Sequence, residues 1–93
     1  MTANTFKVLS TIMSEPNSAG ADIARSTGLK TGTLYPILMR LEEAGWLRSE
    51  WEAGDPVEMK RPRRRLYGVT AVGASQASTY LREHQEVFGR LAW

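Results

Sequence analysis

Residues 27–46 read TGLKTGTLYPILMRLEEAGW, and a helix with one apolar face begins inside them. Pro36 has no amide hydrogen and fits the first turn of a helix, so it places the start near Thr31 to Thr33, either of which can cap it. Gly45 suits the position that ends the helix. The residues of the apolar face follow helical spacing: Leu34, Ile37, Leu38 and Leu41.

A second, shorter helix precedes this one. It covers about 21–26, with Ile23 and Ala24 facing inward, and Gly28 ends it in the tight turn before the next helix. Two helices joined in this way are typical of a helix-turn-helix. An earlier helix, over 5–13, ends before Pro16 and carries apolar residues at helical spacing: Phe6, Leu9, Ile12 and Met13.

The residues that follow Trp46 predict a β-hairpin. Leu47, Ser49 and Trp51 alternate with charged residues, and Tyr67 and Val69 mark a second strand with the same two-residue period. We interpret the segment between them, AGDPVEMKRP, as a loop, so the hairpin has a long basic tip.

A last helix is predicted from about residue 71 toward residue 90, with Thr70 as its N-cap. Its apolar stripe, with members three and four residues apart, consists of Ala74, Ala77, Leu81, His84, Phe88 and Leu91. The predicted fold is therefore mainly α, a winged helix-turn-helix with three helices, a β-hairpin wing and a C-terminal helix. We divide it into a winged-helix DNA-binding domain, 1–70, and a C-terminal dimerisation helix packed on it, 71–93.

Composition and charge narrow the class of protein. The net charge is only +2, but five of the six residues from Lys60 to Arg65 are basic, which makes nucleic acid the first partner to test. The absence of cysteine excludes disulfides, thiolate metal sites and thiol redox sensing. The N-terminus lacks the apolar core of a signal peptide, and no run is long enough to span a membrane. We expect a cytoplasmic protein that associates with the nucleoid when it is bound to DNA.

The outer side of the helix in 31–45 carries small, hydroxyl-bearing and basic residues. Small residues allow close approach, hydroxyls and helix N-terminal amides suit phosphate oxygens, and recognition helices enter the major groove by their N-terminal residues. The alternative is that Tyr35 is an aromatic residue at the edge of the core and that the threonines are only caps. The predicted DNA contacts of this helix are Lys30, Thr31, Thr33, Tyr35, Pro36 and Arg40.

The basic tip of the hairpin is the second predicted contact. Clustered guanidiniums neutralise phosphates and release counterions, whereas the alternative is a solvated charged loop. Arg63 and Arg65 share the strand parity of Tyr67, so one of them is a candidate structural residue. The upstream acids are possible partners of these arginines: Glu50, Glu52, Asp55 and Glu58. The predicted phosphate ligands of the tip are Lys60, Arg61, Arg63 and Arg64.

The apolar stripe of the last helix needs a cover. A second copy of the chain supplies one by two-fold symmetry, and the alternative is that the helix folds back on its own domain. The predicted dimerisation residues are Leu81, His84, Phe88 and Leu91. His84 is the only histidine, so neither a zinc site nor a nucleophile–base arrangement can be assembled around it, and we expect no enzyme activity, metal or cofactor.

Two motifs resemble the PadR family of bacterial winged-helix transcriptional regulators. The first is Gly-Thr-Leu-Tyr-Pro at 32–36, with Leu38, Leu41, Glu42, Gly45 and Trp46 after it. The second consists of Arg64, Tyr67, Thr70 and Gly73. The resemblance extends from Phe6 to about Leu81 and is to the short form of the family, in which a single C-terminal helix dimerises.

The resemblance implies a homodimeric repressor that binds a pseudo-palindromic operator, with Tyr35 and its helical turn on DNA and the wing on phosphates. Relatives often have glycine where this chain has Lys60, which adds charge to the wing. Some members of the family respond to flat aromatic ligands between the protomers. Phe88 and Trp93 are the candidate residues for such an effector here.

Three other functions compete with DNA binding. A winged helix can act as a protein–protein interaction module, since a fold does not fix a function, but such a module has no need of a basic wing tip. RNA binding is less favoured because the aromatic residues do not form a stacking platform on a sheet. Catalysis is the least favoured.

Overall fold

The computed structural model describes residues 1–84, which form helices around a small antiparallel sheet. The helices are α1 (Ala3–Ser14), α2 (Gly20–Thr27), α3 (Thr31–Glu43), α4 (Pro56–Met59) and α5 (Ala71–Glu83). The strands are β1 (Ser18–Ala19), β2 (Leu47–Trp51) and β3 (Arg65–Val69). The predicted winged helix-turn-helix is confirmed. No helix within residues 1–84 is long and apolar enough to cross a membrane.

The sheet contains the predicted hairpin and one strand that was not predicted. The strand order is β1-β3-β2, and Tyr67 in β3 lies opposite Ser49 in β2 and Ser18 in β1. β1 has only two residues, too few for an alternating pattern to be recognised in the sequence. Its pairing ties the segment between α1 and α2 to the wing.

The core is built from the helical faces that the sequence predicted. Its buried residues are Val8, Leu9, Ile12, Ile23, Leu34, Ile37, Leu38, Leu41, Leu47, Tyr67 and Ala77. Met13 shares the helical spacing of Phe6, Leu9 and Ile12 but is not part of the core, since its side chain is 43% exposed. Val8, Leu9 and Ile12 supply the buried face of α1, which leaves Met13 at the edge of that face beside α5.

The start of α3 differs from the prediction. Lys30 occupies the N-cap position, and neither Thr31 nor Thr33 caps the helix. Pro36 lies in the second turn rather than the first, so the carbonyl of Gly32 lacks its helical hydrogen bond. Both residues are exposed, and water can therefore satisfy that carbonyl.

The end of α3 follows the prediction. Gly45 has a φ of +80°, the left-handed conformation that glycine adopts most readily. Its amide donates to the Glu42 carbonyl at 3.0 Å, and the Trp46 amide donates to the Leu41 carbonyl at 2.9 Å. These are the two bonds of a Schellman motif, which turns the chain directly into β2.

The N-terminus of α5 is hydrogen-bonded to this same turn at the end of α3. The predicted N-cap is confirmed, because the Thr70 hydroxyl accepts from the Gly73 amide at 3.1 Å and donates to the Gly45 carbonyl at 2.6 Å. A Cβ at Gly73 would overlap the carbonyl oxygen of Trp46 and lie 2.9 Å from its carbon. Only a residue without a side chain allows α5 to pack this closely.

The first part of α5 folds back on its own domain, which is the alternative considered for this helix. Ala77 is buried, and the Tyr80 ring lies 4.9 Å from that of Phe6 on α1 and 4.1 Å from that of His84. Leu81, by contrast, is 47% exposed. The predicted continuation toward residue 90 lies outside the described residues.

The segment between β2 and β3 is not only a loop. α4 forms a single turn, with the Asp55 carboxylate accepting from the Val57 amide at 2.9 Å and Pro56 at the first helical position. Lys60 ends it with a φ of +57°. One turn of four residues is too short to give a helical period in the sequence.

Candidate nucleic-acid interface

The N-terminal half of α3 presents a continuous exposed surface. Each residue that was predicted to contact DNA from this helix is exposed: Lys30, Thr31, Thr33, Tyr35, Pro36 and Arg40. Met39 extends the surface and is 59% exposed. Gly32 lies among these residues, and a Cβ there would meet nothing within 4 Å. A flat partner can therefore approach the helix closely.

Thr31 and Thr33 have hydroxyl groups that are free to bind a partner. Neither hydroxyl caps α3, and within residues 1–84 neither makes a hydrogen bond. The alternative that the threonines serve only as caps therefore does not describe this helix. Both hydroxyls can donate to phosphate oxygens or to groups on base edges.

Tyr35 combines a packed ring with an exposed edge. It is 46% exposed, and its phenol end lies against Gly20 at the start of α2. Among residues 1–84, its hydroxyl makes no hydrogen bond. Tyr35 thus packs its phenol across the seam between α2 and α3, while close to half of the residue stays accessible to a partner.

The wing contains an arginine–carboxylate cluster that takes up two of the predicted phosphate ligands. The Glu52 carboxylate accepts from Arg61 at 2.6 and 3.2 Å and from Arg64 at 3.2 Å. These guanidiniums, Arg61 first, hold the pKa of Glu52 at about 2, below its ordinary 4.5. Arg64 also lies 3.8 Å from the Asp22 carboxylate on α2, a link that no feature of the sequence indicates.

Arg65 is a structural residue, as its strand parity suggested for one of the two arginines. Its Nε donates to the Ser49 hydroxyl at 2.9 Å, and its guanidinium lies 3.8 Å from the Glu42 carboxylate on α3. The same guanidinium lies 5.0 Å above the Trp51 ring. This arginine therefore braces the wing against α3 and is not free for phosphate.

The remaining cations of the wing are uncompensated. Lys60 and Arg63 are exposed, and in residues 1–84 neither is within ion-pair distance of a carboxylate. On α3, the same holds for Lys30 and Arg40 among the described residues. The wing and α3 thus each contribute free positive charge, the electrostatic requirement for binding a phosphate backbone.

Residues 1–84 give less support to a metal site, to the predicted dimer interface and to an effector site. Within 1–84, no group of three or more histidine, cysteine or acidic residues is arranged to hold a metal ion. The predicted dimerisation residues Phe88 and Leu91 and the candidate effector residue Trp93 lie outside that range. The aromatic effector site therefore stays a prediction.

Comparison with known families gives one match over most of the chain. The model of the transcriptional regulator PadR-like family matches residues 11–79. Comparison with curated proteins gives no match.

Solved structures with the same architecture include three from bacteria. The chain is similar to smu.1704 from Streptococcus mutans UA159, with 28% identity, a TM-score of 0.73 and coverage of 92% of this chain and 78% of that one. A PadR-like transcription factor from Bacteroides fragilis shares 22% identity at a TM-score of 0.77, with coverage of 95% and 85%. A PadR-family transcriptional regulator from Eggerthella lenta DSM 2243 shares 24% identity at a TM-score of 0.75, with coverage of 95% and 77%.

Proposed function

The chain belongs to the transcriptional regulator PadR-like family, and on that premise we propose that it is a sequence-specific repressor that binds a pseudo-palindromic operator as a homodimer. The observation that carries the proposal is the exposed N-terminal surface of α3, whose hydroxyls have no partner in residues 1–84, beside a wing with uncompensated cations. An interaction surface for protein alone has no need of this combination.

In the proposal, α3 enters the major groove by its first two turns. The open space above Gly32 allows the helix backbone to approach the groove floor. Thr33 and Tyr35 then reach base edges or the phosphates that line the groove, which gives sequence preference and register. Arg40, one turn farther along, lies where the flanking phosphates run.

The wing contributes affinity with little sequence information. Lys60 and Arg63 neutralise phosphates and release counterions. Arg61 and Arg64 contribute less than their charge suggests, because Glu52 already binds both. The number of phosphates neutralised by one protomer is therefore smaller than the number of basic residues in the wing.

The proposed dimer uses the groove between α1 and α5. Met13 and Leu81 are both more than 40% exposed and line this groove together with Phe6. Apolar side chains at the edge of a small domain are suited to a self-complementary two-fold contact. In the proposed dimer the two copies of α3 lie on one face, as a palindromic operator requires.

Selection of bound sequences from a pool of random duplexes tests the proposed function. We expect an imperfect palindrome whose half-sites lie about one or two helical turns apart. The competing function is a protein–protein interaction module. If no sequence is enriched and no duplex is retained at about 50 mM salt, the DNA-binding proposal is wrong and the interaction module takes its place.

A further inference from the structure

Gly20 is a glycine whose backbone conformation does not require one. It is buried at the first position of α2, and it is not among the residues with positive φ. Its backbone is fixed on both sides. Ala19 before it pairs with Leu66 in β3, and the Asp22 carboxylate after it accepts from the Ala19 amide at 3.3 Å.

The space that a side chain at position 20 would need is occupied by Tyr35. A Cβ there would overlap the Tyr35 hydroxyl oxygen and would lie 2.9 Å from Cζ and 3.1 Å from Cε1. Real Cβ atoms essentially never approach another heavy atom to less than 3.0 Å. The phenol of Tyr35 therefore lies in this place only because residue 20 has no side chain.

We infer that Gly20 is a positioning residue for Tyr35. Because residue 20 has no side chain, the Tyr35 ring can lie across the seam between α2 and α3, and this contact fixes the position of the ring at the proposed DNA-binding surface. Gly20 itself touches no DNA in this inference. It rests on the proposed function, because the effect on DNA follows from the role assigned to Tyr35.

A side chain at position 20 should move the ring and leave the backbone in place. The backbone at Gly20 is held by a strand pairing and by the start of a helix, whereas the Tyr35 ring is the end of a half-exposed side chain that can move by rotation about its side-chain bonds. The substitution Gly20→Ala should therefore leave the fold intact and rotate Tyr35 outward. Burial raises the pKa of Tyr67, and the nearby Glu42 and Tyr35 raise it further, so Tyr67 should sense the displacement.

The position of the ring can be measured without DNA. In the full-length wild-type protein, nuclear Overhauser contacts are expected between the Tyr35 ring protons and the Gly20 Hα protons. In Gly20→Ala the corresponding contacts to position 20 should weaken or vanish while the contacts within the core remain. Ala21→Ser adds one heavy atom at the neighbouring exposed position and should leave the Tyr35 contacts unchanged.

A double-mutant cycle separates positioning from direct contact. With the operator found by selection, Gly20→Ala and Tyr35→Ala should each reduce the preference for operator over random duplex by about fivefold or more. Gly20→Ala placed in the Tyr35→Ala background should cause no further loss beyond about twofold, because the residue through which it acts is already absent.

Three results would overturn the inference. One is a Gly20→Ala protein whose Tyr35 contacts and operator preference equal those of the wild type. Another is an equal loss of preference from Gly20→Ala in both backgrounds, which would mean that Gly20 acts without Tyr35. The third is a variant that has lost its core contacts, which would make Gly20 a residue of the fold. Failure of the wild type to bind any duplex would instead refute the proposed function, and the Overhauser comparison would still decide whether Gly20 positions the ring.

Discussion

Replacing Glu52 by glutamine should strengthen binding to DNA rather than weaken it. Glu52 binds the guanidiniums of Arg61 and Arg64, and its side chain is only 16% exposed beneath them. Glutamine keeps the shape and removes the charge that competes with phosphate for these two arginines. The variant should therefore release Arg61 and leave Arg64 with only the Asp22 carboxylate, 3.8 Å away, so that at most two cations in each protomer become available to the DNA backbone.

The size of the expected change in salt dependence follows from the number of phosphates that the dimer neutralises. If Lys30, Arg40, Lys60 and Arg63 of each protomer neutralise one phosphate each, a dimer should show a slope of about −7 in log affinity against log salt, at about −0.9 per phosphate. The two released arginines in each protomer should steepen this slope by up to about 3.6 units. The advantage of the variant over the wild type should then shrink by up to about 150-fold between roughly 50 and 200 mM salt.

The assay is fluorescence anisotropy with a random-sequence duplex, titrated at several salt concentrations. The matched control is Glu58→Gln, which removes the same charge from an exposed acid of the wing that has no ion pair among the described residues. It should raise affinity only through the change in net charge and steepen the slope much less. If Glu52→Gln binds more weakly than the wild type, or if its slope matches that of the control, Glu52 does not hold the arginines away from phosphate.

Three further predictions concern stability and assembly. The pKa of Glu52 is lowered to about 2, so its contribution to stability is complete above its ordinary pKa of 4.5 and is lost as the pH falls from there toward 2. The Tm of Glu52→Gln should therefore fall less than that of the wild type over this pH range. Parallel curves of Tm against pH for the two proteins would contradict this. Gly73→Ala should lower the free energy of unfolding, measured by urea denaturation, by about 1–3 kcal/mol because the added Cβ meets a backbone carbonyl. The control Gly32→Ala places its Cβ in open space and should change the free energy of unfolding by less than about 1 kcal/mol or raise it. Equal effects of the two substitutions would argue against the close packing of α5. Leu81→Glu should shift the sedimenting mass to that of a monomer. The control Val72→Glu changes an exposed position on the opposite side of α5 from Leu81 and should leave a dimer. If both variants sediment as dimers, the interface lies elsewhere.

The order of elements and most of the core could be predicted from the sequence, because they depend on local periodicity. The leucine spacing of α3 and the alternation around Tyr67 each repeat over several residues, so the helix and the strand can be recognised even where one residue departs from the pattern. The hairpin, the helix-turn-helix and the cap at Thr70 follow from the same kind of local signal.

Features that depend on contacts between distant residues could not be predicted. β1 exists because Ser18 and Ala19 meet β3, and two residues carry no period of their own. Pairing of Glu52 with Arg61 was one of several combinations open in the sequence, and the structure selects it. The need for a residue without a side chain at position 20 arises from Tyr35, which lies fifteen positions away on a different helix.

The central claim is that α3 supplies sequence preference and the wing supplies charge. The most direct test is to measure affinity for the selected operator and for a random duplex, over a range of salt, for Tyr35→Ala and Arg63→Ala. We predict that Tyr35→Ala lowers the ratio of operator to random affinity by about fivefold or more and leaves the salt slope nearly unchanged. Arg63→Ala should weaken binding to both duplexes alike and flatten the slope by about 1.8 units for a dimer. Identical behaviour of the two variants in ratio and slope would contradict the assignment of α3 as the recognition helix.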